Sequence, residues 1–270
     1  MPVEFTKAHA YGNDFLFIEE HLAAGGEAAA WARAVCDRHR GIGADGLILY
    51  RRTPAGATMK LLNADGSEAE VSGNGVRCLA AIVADGDDAR GQAAEITIET
   101  AGGVKTLTLL EAAPPRFRFR AWMGRASGLA RRQLEAAGEQ VSVIVLSVGN
   151  PQCIVLTDTL DAARFARLGP ALATHEAFPE GTNVELVQVE RPDRLCIRIW
   201  ERGVGPTSAS GTGACASAVA ATVFGGAAPA MDVVSPGGSQ RVELTADGIY
   251  LTGWAELTGR GVWLSPPPGA

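Results

Sequence analysis

A four-residue motif occurs twice in this chain, and the pair constrains the fold more than any other feature. Ser72-Gly73-Asn74-Gly75 opens an alanine-rich apolar run from Val76 to Ala84, and Ser210-Gly211-Thr212-Gly213 opens another from Ala214 to Phe224. A tight glycine turn feeding an apolar run reads as the N-terminus of a buried helix. The correspondence reaches upstream: Asn63 lies nine residues before Ser72, and Glu201 nine before Ser210. Two copies of one unit, each with a small nucleophile-sized side chain at a helix start, suggest two half-sites facing one ligand.

The surrounding segments read mostly as short strands. Val3–Lys7 and Phe15–Ile18 flank the turn Tyr11-Gly12-Asn13-Asp14, and a helix is expected from about Ala28 to Asp37 with Trp31, Val35 and Cys36 on its apolar face. Gly41-Ile42-Gly43-Ala44-Asp45-Gly46 matches the glycine spacing of dinucleotide sites. It follows a helix and precedes a strand, the reverse of the nucleotide fingerprint, so it reads as a turn that also approaches the ligand. Strands at 47–50 and 59–63 lead to the polar turn Asn63–Glu68 and the first motif. Strands 95–100 and 104–110 form a hairpin about Ala101-Gly102-Gly103. Arg116-Phe117-Arg118-Phe119-Arg120 alternates strictly, as a strand with one solvated face does.

Pro114-Pro115 marks a domain boundary, which divides the chain into residues 1–114, completed by a last strand at about 260–270, and residues 115–259. The second half repeats the first in outline: strands at 141–148 and 152–157, a helix around Leu160–Leu168, strands at 183–189 and 194–200, and the second motif. Short strands at 242–244, 249–251 and on to Trp263 finish it. Many short strands and one central helix per half point to an α/β (α+β) chain of two mixed domains with mainly antiparallel sheet.

Composition excludes several classes. A chain of 270 residues, 47% hydrophobic and 20% charged, can bury a substantial core. No window approaches the ~18 apolar residues of a membrane span, and the first residues lack the pattern of a secretory signal. The net charge of −6 argues against nucleic acid or an anionic membrane as partner. Cys36, Cys78, Cys153, Cys196 and Cys215 are scattered and form no CxxC pair, which points to reduced thiols in a cytoplasmic protein. His9, His21, His39 and His175 share no spacing, so no metal is expected; no lysine sits in a Schiff-base context, so no cofactor is assigned.

An ordered set of motifs covers nearly the whole chain: Gly12-Asn13-Asp14, Asp37-Arg38-His39 with Gly41–Asp45, Asn63–Glu68, Gly73–Cys78, Gly149-Asn150-Pro151, Phe178–Asn183, and Trp200–Gly203 with Gly211–Cys215. The set resembles the diaminopimelate epimerase family. The resemblance implies two pseudo-symmetric domains, each a barrel-like sheet around a central helix, with the ligand in the cleft between. It implies cofactor-free epimerisation of an amino acid, LL- and meso-diaminopimelate, in lysine biosynthesis, and, by what is common in the family, a homodimer. In the family a cysteine at each helix start moves the α-proton. The matching positions here are Ser72 and Ser210, and Gln152 stands where the family commonly has His.

By the same resemblance Asn13, Asn63, Asn150 and Asn183 bind the distal amino acid end of the substrate, and asparagine suits an ammonium–carboxylate pair because it both donates and accepts. Gly73, Asn74, Gly211 and Thr212 belong to the helix starts, whose unpaired N–H groups suit a carboxylate. Glu201 and Arg202 read as a charge pair. Inversion without redox needs a base on one face of the carbon and an acid on the other. A serine hydroxyl has no usable ionised fraction near neutral pH without a strong base beside it, and none is adjacent in sequence. Ser72 and Ser210 therefore predict a site that binds and turns over poorly. They read first as deliberate replacements in an otherwise normal epimerase, with a natural member of altered chemistry, or serines activated by a spatial neighbour, as alternatives. An epimerase of another amino acid, or a non-catalytic amino acid binding homologue, are the competing functions.

Overall fold

The computed structural model describes residues 2–23, 27–69, 72–86 and 95–264; the end of the strand expected at about 260–270 falls partly outside them. By its contacts the chain divides into a first unit, Met1–Ala121 with Gly253–Ala270, and a second, Trp122–Thr252.

The first unit runs β1 (Val3–Ala10), β2 (Asn13–Glu19), α1 (Ala28–Cys36), β3 (Gly46–Thr53), β4 (Gly56–Asn63), β5 (Glu68–Ala69), α2 (Gly73–Gly86), β6 (Glu95–Thr100), β7 (Gly103–Ala113) and β8 (Arg116–Gly124). The second runs β9 (Ser127–Ala136), β10 (Glu139–Ser147), β11 (Pro151–Leu156), α3 (Ala162–Ala173), β12 (Asn183–Arg191), β13 (Arg194–Glu201), β14 (Gly205–Thr207), α4 (Gly211–Phe224), β15 (Ala230–Ser235), β16 (Gly238–Thr245) and β17 (Gly248–Trp263). The final strands β8 and β17 carry residues of both units.

The ladders repeat in order. β1–β2 is antiparallel, β2–β3 parallel, β3–β4 antiparallel and β4–β6 parallel. β10–β11, β11–β12, β12–β13 and β13–β15 follow the same sequence of directions. Hairpins β6–β7 and β7–β8 match β15–β16 and β16–β17. In the first unit β8 pairs with β17 and β17 with β1, which closes the strands into a barrel. Pro114–Pro115, with a cis peptide bond, forms the turn of the β7–β8 hairpin.

Each unit is built around its motif helix. Residues Asn74–Ala84 of α2 and Gly213–Ala221 of α4 are buried without a break. Alanine makes this possible: it favours the helix and lets strands approach on every side. α2 touches β1, β2, β4, β6 and β7, and α4 touches β10, β11, β12, β13, β15 and β16. The outer helices cover the other face of the same strands. Leu47 and Leu49 pack with Trp31 and Val35 of α1, and Val184 and Leu186 with Phe165 and Leu168 of α3. The alternate residues Val187, Ile197 and Ile199 pack on α4. Strands buried on both faces read as continuous apolar runs, as Gly46–Tyr50 does.

Helix α3 continues to Ala173, past the expected end at Leu168. Gly169-Pro170 reads as a helix breaker, but Gly169 lies against the Trp200 ring, where an added Cβ would sit 2.8 Å from the indole. Packing on β13 thus carries the helix through.

Candidate active site

In the first unit, Ser72 caps α2. Its Oγ accepts the Gly75 N–H at 3.2 Å, and its carbonyl accepts the Val76 N–H at 2.8 Å. Gly73 is exposed, with nothing within 4 Å of where a Cβ would be, so its backbone is open to a ligand. Asn74 is buried; its Nδ2 donates to Asn13 Oδ1 at 3.2 Å, and its Oδ1 accepts from Arg77. Asn13 in turn donates to Asp45 at 2.8 Å. Arg38 bridges Asp14 and Asp45 at 2.7 and 2.8 Å, and Lys7 meets Asp14 at 3.0 Å. Burial works to raise the Asp14 carboxyl, but hydrogen bonds and charge from Arg38 and Lys7 outweigh it and hold the group low. The glycine-rich segment 41–46 is the helix-to-strand turn expected, folded back on α1 by Ile42 and Gly43 N–H bonds to Val35 O. Asn63 is committed to its own turn, donating to Ser67 Oγ at 2.9 Å. A recess of this unit, about 610 Å³, is lined by Lys7, His9, Asp14 and Arg38 among others, and no residue of the Ser72 turn lines it.

The second unit builds its helix start similarly and furnishes it with more chemistry. Ser210 is the N-cap of α4, accepting the Gly213 N–H at 3.2 Å. Gln152 Nε2 donates to Asn150 Oδ1 at 2.7 Å and to Thr212 Oγ1 at 3.2 Å, and Thr212 Oγ1 lies 3.4 Å from Ser210 Oγ. Asn183 donates to Pro151 O and accepts the Arg202 N–H, each at 3.0 Å. The Glu201 carboxyl is raised by burial, against which the Ser210 hydroxyl beside it works. A hydroxyl has one proton to donate, so Ser210, already accepting from Gly213, donates to Glu201.

Glu201 and Arg202 do not pair with each other as the sequence suggested. Arg202 sends its guanidinium to Glu180 O at 3.0 Å while Glu201 turns to Ser210. Successive side chains at a strand end point to opposite faces. A base beside Ser210, invisible in the linear sequence, is therefore supplied through space.

Two buried groups escaped the sequence reading. Arg77, 3% exposed, orients Asn74 and lies 5.7 Å from the Tyr11 ring. Glu185 is fully buried on β12, with burial and then the Glu201 charge pushing its carboxyl well up. Each was visible as a charge inside an apolar run, Val76–Ala84 or Val184–Val187. Among the described residues no cluster of His, Cys, Asp and Glu could hold a metal ion.

The profile of the diaminopimelate epimerase family matches residues 5–127 and 144–258. The chain belongs to the diaminopimelate epimerase family. The diaminopimelate epimerase of Desulforudis audaxviator is 39% identical over 97% of this chain and 99% of its own length. Diaminopimelate epimerase 1 of a Nostoc species is 40% identical over 95% and 98%. Among solved structures, a "predicted epimerase" from Pseudomonas aeruginosa superposes with TM-score 0.73 at 18% identity, covering 98% of this chain and all (100%) of that one. A hydroxyproline epimerase from Agrobacterium vitis gives 0.70 at 16%, covering 98% and 93%. At such identities these two establish the fold alone. In both units of this diaminopimelate epimerase family member the capped helix starts carry serine, Ser72 and Ser210.

Proposed function

We propose that this chain is a cofactor-independent diaminopimelate epimerase, interconverting the LL and meso forms in lysine biosynthesis. Ser72 and Ser210 occupy its two acid/base positions. The observation that carries the reading is the hydroxyl-capped helix start found in each unit of a chain of this family. In each, the first N–H groups of the helix are available to a carboxylate and can stabilise charge as the α-proton leaves. Asn13, Asn63, Asn74, Asn150, Asn183, Glu201, Arg202 and Thr212, with Gly73 and Gly211, are the proposed substrate contacts. The setting is the cytoplasm and the assembly a homodimer; no described helix is long and apolar enough to cross a membrane.

Serine limits the rate. A thiol of ordinary pKa ~8.5 is within reach of neutral pH, whereas a hydroxyl is a far weaker acid. Glu201 beside Ser210 narrows that gap without closing it. Gln152, a neutral amide spent on Asn150 and Thr212, supports a second reading, an epimerase of another amino acid.

Calorimetric titration with diaminopimelate, beside deuterium wash-in at its α-carbon, tests both. Binding with slow wash-in is expected. No binding of diaminopimelate overturns the first reading, and binding of a different amino acid in its place establishes the second.

A further inference from the structure

The strand registers of the second unit lay a polar row beneath the start of α4. Gln152 on β11 is the parallel partner of Asn183 on β12, and the β12–β13 register that pairs Glu185 with Ile199 places Asn183 opposite Glu201. The next row on the same face is Ile154, Glu185 and Ile199. Its isoleucines pack on α4, so Glu185 is a carboxyl set into the apolar floor under that helix.

The first unit makes the comparison exact in register. Its corresponding rows are Phe15, Gly46 and Asn63, then Phe17, Ile48 and Leu61. Glu185 therefore stands where the first unit has Ile48. Both reach the third residue of the motif helix. A Cβ on Gly75 would lie 2.8 Å from Ile48 Cδ1, and a Cβ on Gly213 would collide with Glu185 Oε1. One repeat closes this floor with a methyl group; the other spends a fully buried carboxyl there. Such a placement is costly unless the group is neutral or partnered. Its diagonal neighbour on the same face is Glu201, within reach for long side chains, and Glu201 meets Ser210. Two adjoining carboxyls do not both ionise readily. The Glu201 charge from β13 raises Glu185, the Glu185 charge in turn raises the Cys153 thiol on β11, and α4 presents Gly213 to Glu185.

We propose that Glu185 is a positioning residue, a neutral carboxylic acid that leaves Glu201 as the ionised member of the pair and so readies the Ser210 half-site as proton acceptor in one direction of the interconversion, the reverse direction starting with that proton already in place. When a proton passes from the group at position 210 to Glu201, Glu201 becomes neutral and Glu185 keeps the proton it already holds. The Ser72 half-site has Ile48 and Asn63 in the matching places, so among the described residues those two positions hold no carboxyl pair. This assignment of roles rests on the epimerase reading; the carboxyl pair itself does not.

Carbon-13 NMR of the full chain carrying labelled glutamate side-chain carboxyls tests it, with Glu185→Gln and Glu201→Gln giving the assignments. The expected Glu185 signal at pH 7 is that of the acid, and the pair releases its protons in two steps. In either Gln variant one step remains, lying at least ~1 pH unit below the upper step of the parent. A Glu185 signal of the ionised form at pH 7 in the unmodified protein overturns the proposal, and so does a Glu185 titration that Glu201→Gln leaves unmoved. The first readout needs no substitution, so a variant that fails to fold does not protect the idea. Diaminopimelate that fails to bind while Glu185 stays protonated removes the epimerase reading and leaves the pair standing. Binding with an ionised Glu185 does the reverse.

Discussion

Gly213→Ala places a methyl group where the structure has none to spare. The added Cβ would lie 3.2 Å from Ser210 Cβ and run into the Glu185 carboxyl from below. Glu185 is 0% exposed and held on a strand paired on both sides, so it has nowhere to retreat. Overpacking a filled site costs about 1–3 kcal/mol, against which the helix preference of alanine over glycine contributes up to about 1 kcal/mol. The net expectation is a loss of roughly 1–2 kcal/mol. Gly73→Ala is the control. At the corresponding start of α2 it meets nothing within 4 Å, so the same substitution is neutral or gains a few tenths of a kcal/mol up to about 1. Gly75→Ala falls between them, because the Ile48 methyl 2.8 Å away can swing aside. Urea denaturation of the three variants, followed by circular dichroism, gives the order directly. Equal midpoints for Gly213→Ala and Gly73→Ala would refute the placement of Glu185 beneath α4.

Three further outcomes follow from the same geometry. Asp14 is held below its ordinary value of 3.8 by Arg38 and Lys7, against its burial, so its contribution is complete above that value and is lost as pH falls through the folded one. Asp14→Asn is therefore expected to lower stability by about 1–3 kcal/mol near neutrality, with the difference from the parent vanishing in acid on a urea-midpoint series. Glu185 has the opposite sign: a raised carboxyl makes the fold bind more protons than the unfolded chain. Parent stability should thus fall as pH rises above 4.5, and Glu185→Gln should flatten that slope; an unchanged slope would count against the burial argument. Finally, Cys36 and Cys78 are buried with thiols pushed up to about 12, Cys153 and Cys215 are buried, and Cys196 alone is partly exposed. A thiol reagent should label Cys196 first in the folded protein, and peptide mapping that finds Cys36 or Cys78 labelled as fast would contradict the packing.

The parts of the fold legible in the sequence were those where one local signal and the tertiary environment agree. The alanine-rich runs Val76–Ala84 and Ala214–Ala221 read as buried helices because one polar interruption each, Arg77 or Ser217, breaks an otherwise apolar stretch. The Arg116–Arg120 alternation matched a strand with Phe117 and Phe119 inside. β9 escaped because the face of Ser127–Ala136 that packs inward carries only Ala130, Leu134 and Ala136, with Arg132 and Gly128 between and before them, too sparse an apolar period to mark a strand. β17 was read as fragments because Gly253, Gly259 and Gly261 punctuate it; the close approach of Tyr11 and Arg77 to Gly253, and of Phe5 to Gly261, explains those glycines. At the candidate site the motif spacing located the helix caps and Glu201. It could not give the partner of Glu201, because a turn residue and a strand end nine positions apart meet only through tertiary packing. Glu185 was missed for the same reason: its meaning depends on what lies above it.

The central claim is that positions 72 and 210 are the proton-transfer positions of an epimerase. Ser72→Cys with Ser210→Cys, incubated with LL-diaminopimelate in deuterium oxide and followed by proton NMR, tests it most directly. The account predicts loss of the α-proton signal and appearance of the meso form at a rate at least ~10²-fold above the parent, the scale of a general acid–base contribution, with neither single replacement reaching it. A doubly replaced protein that binds diaminopimelate and leaves its α-proton in place would contradict the account.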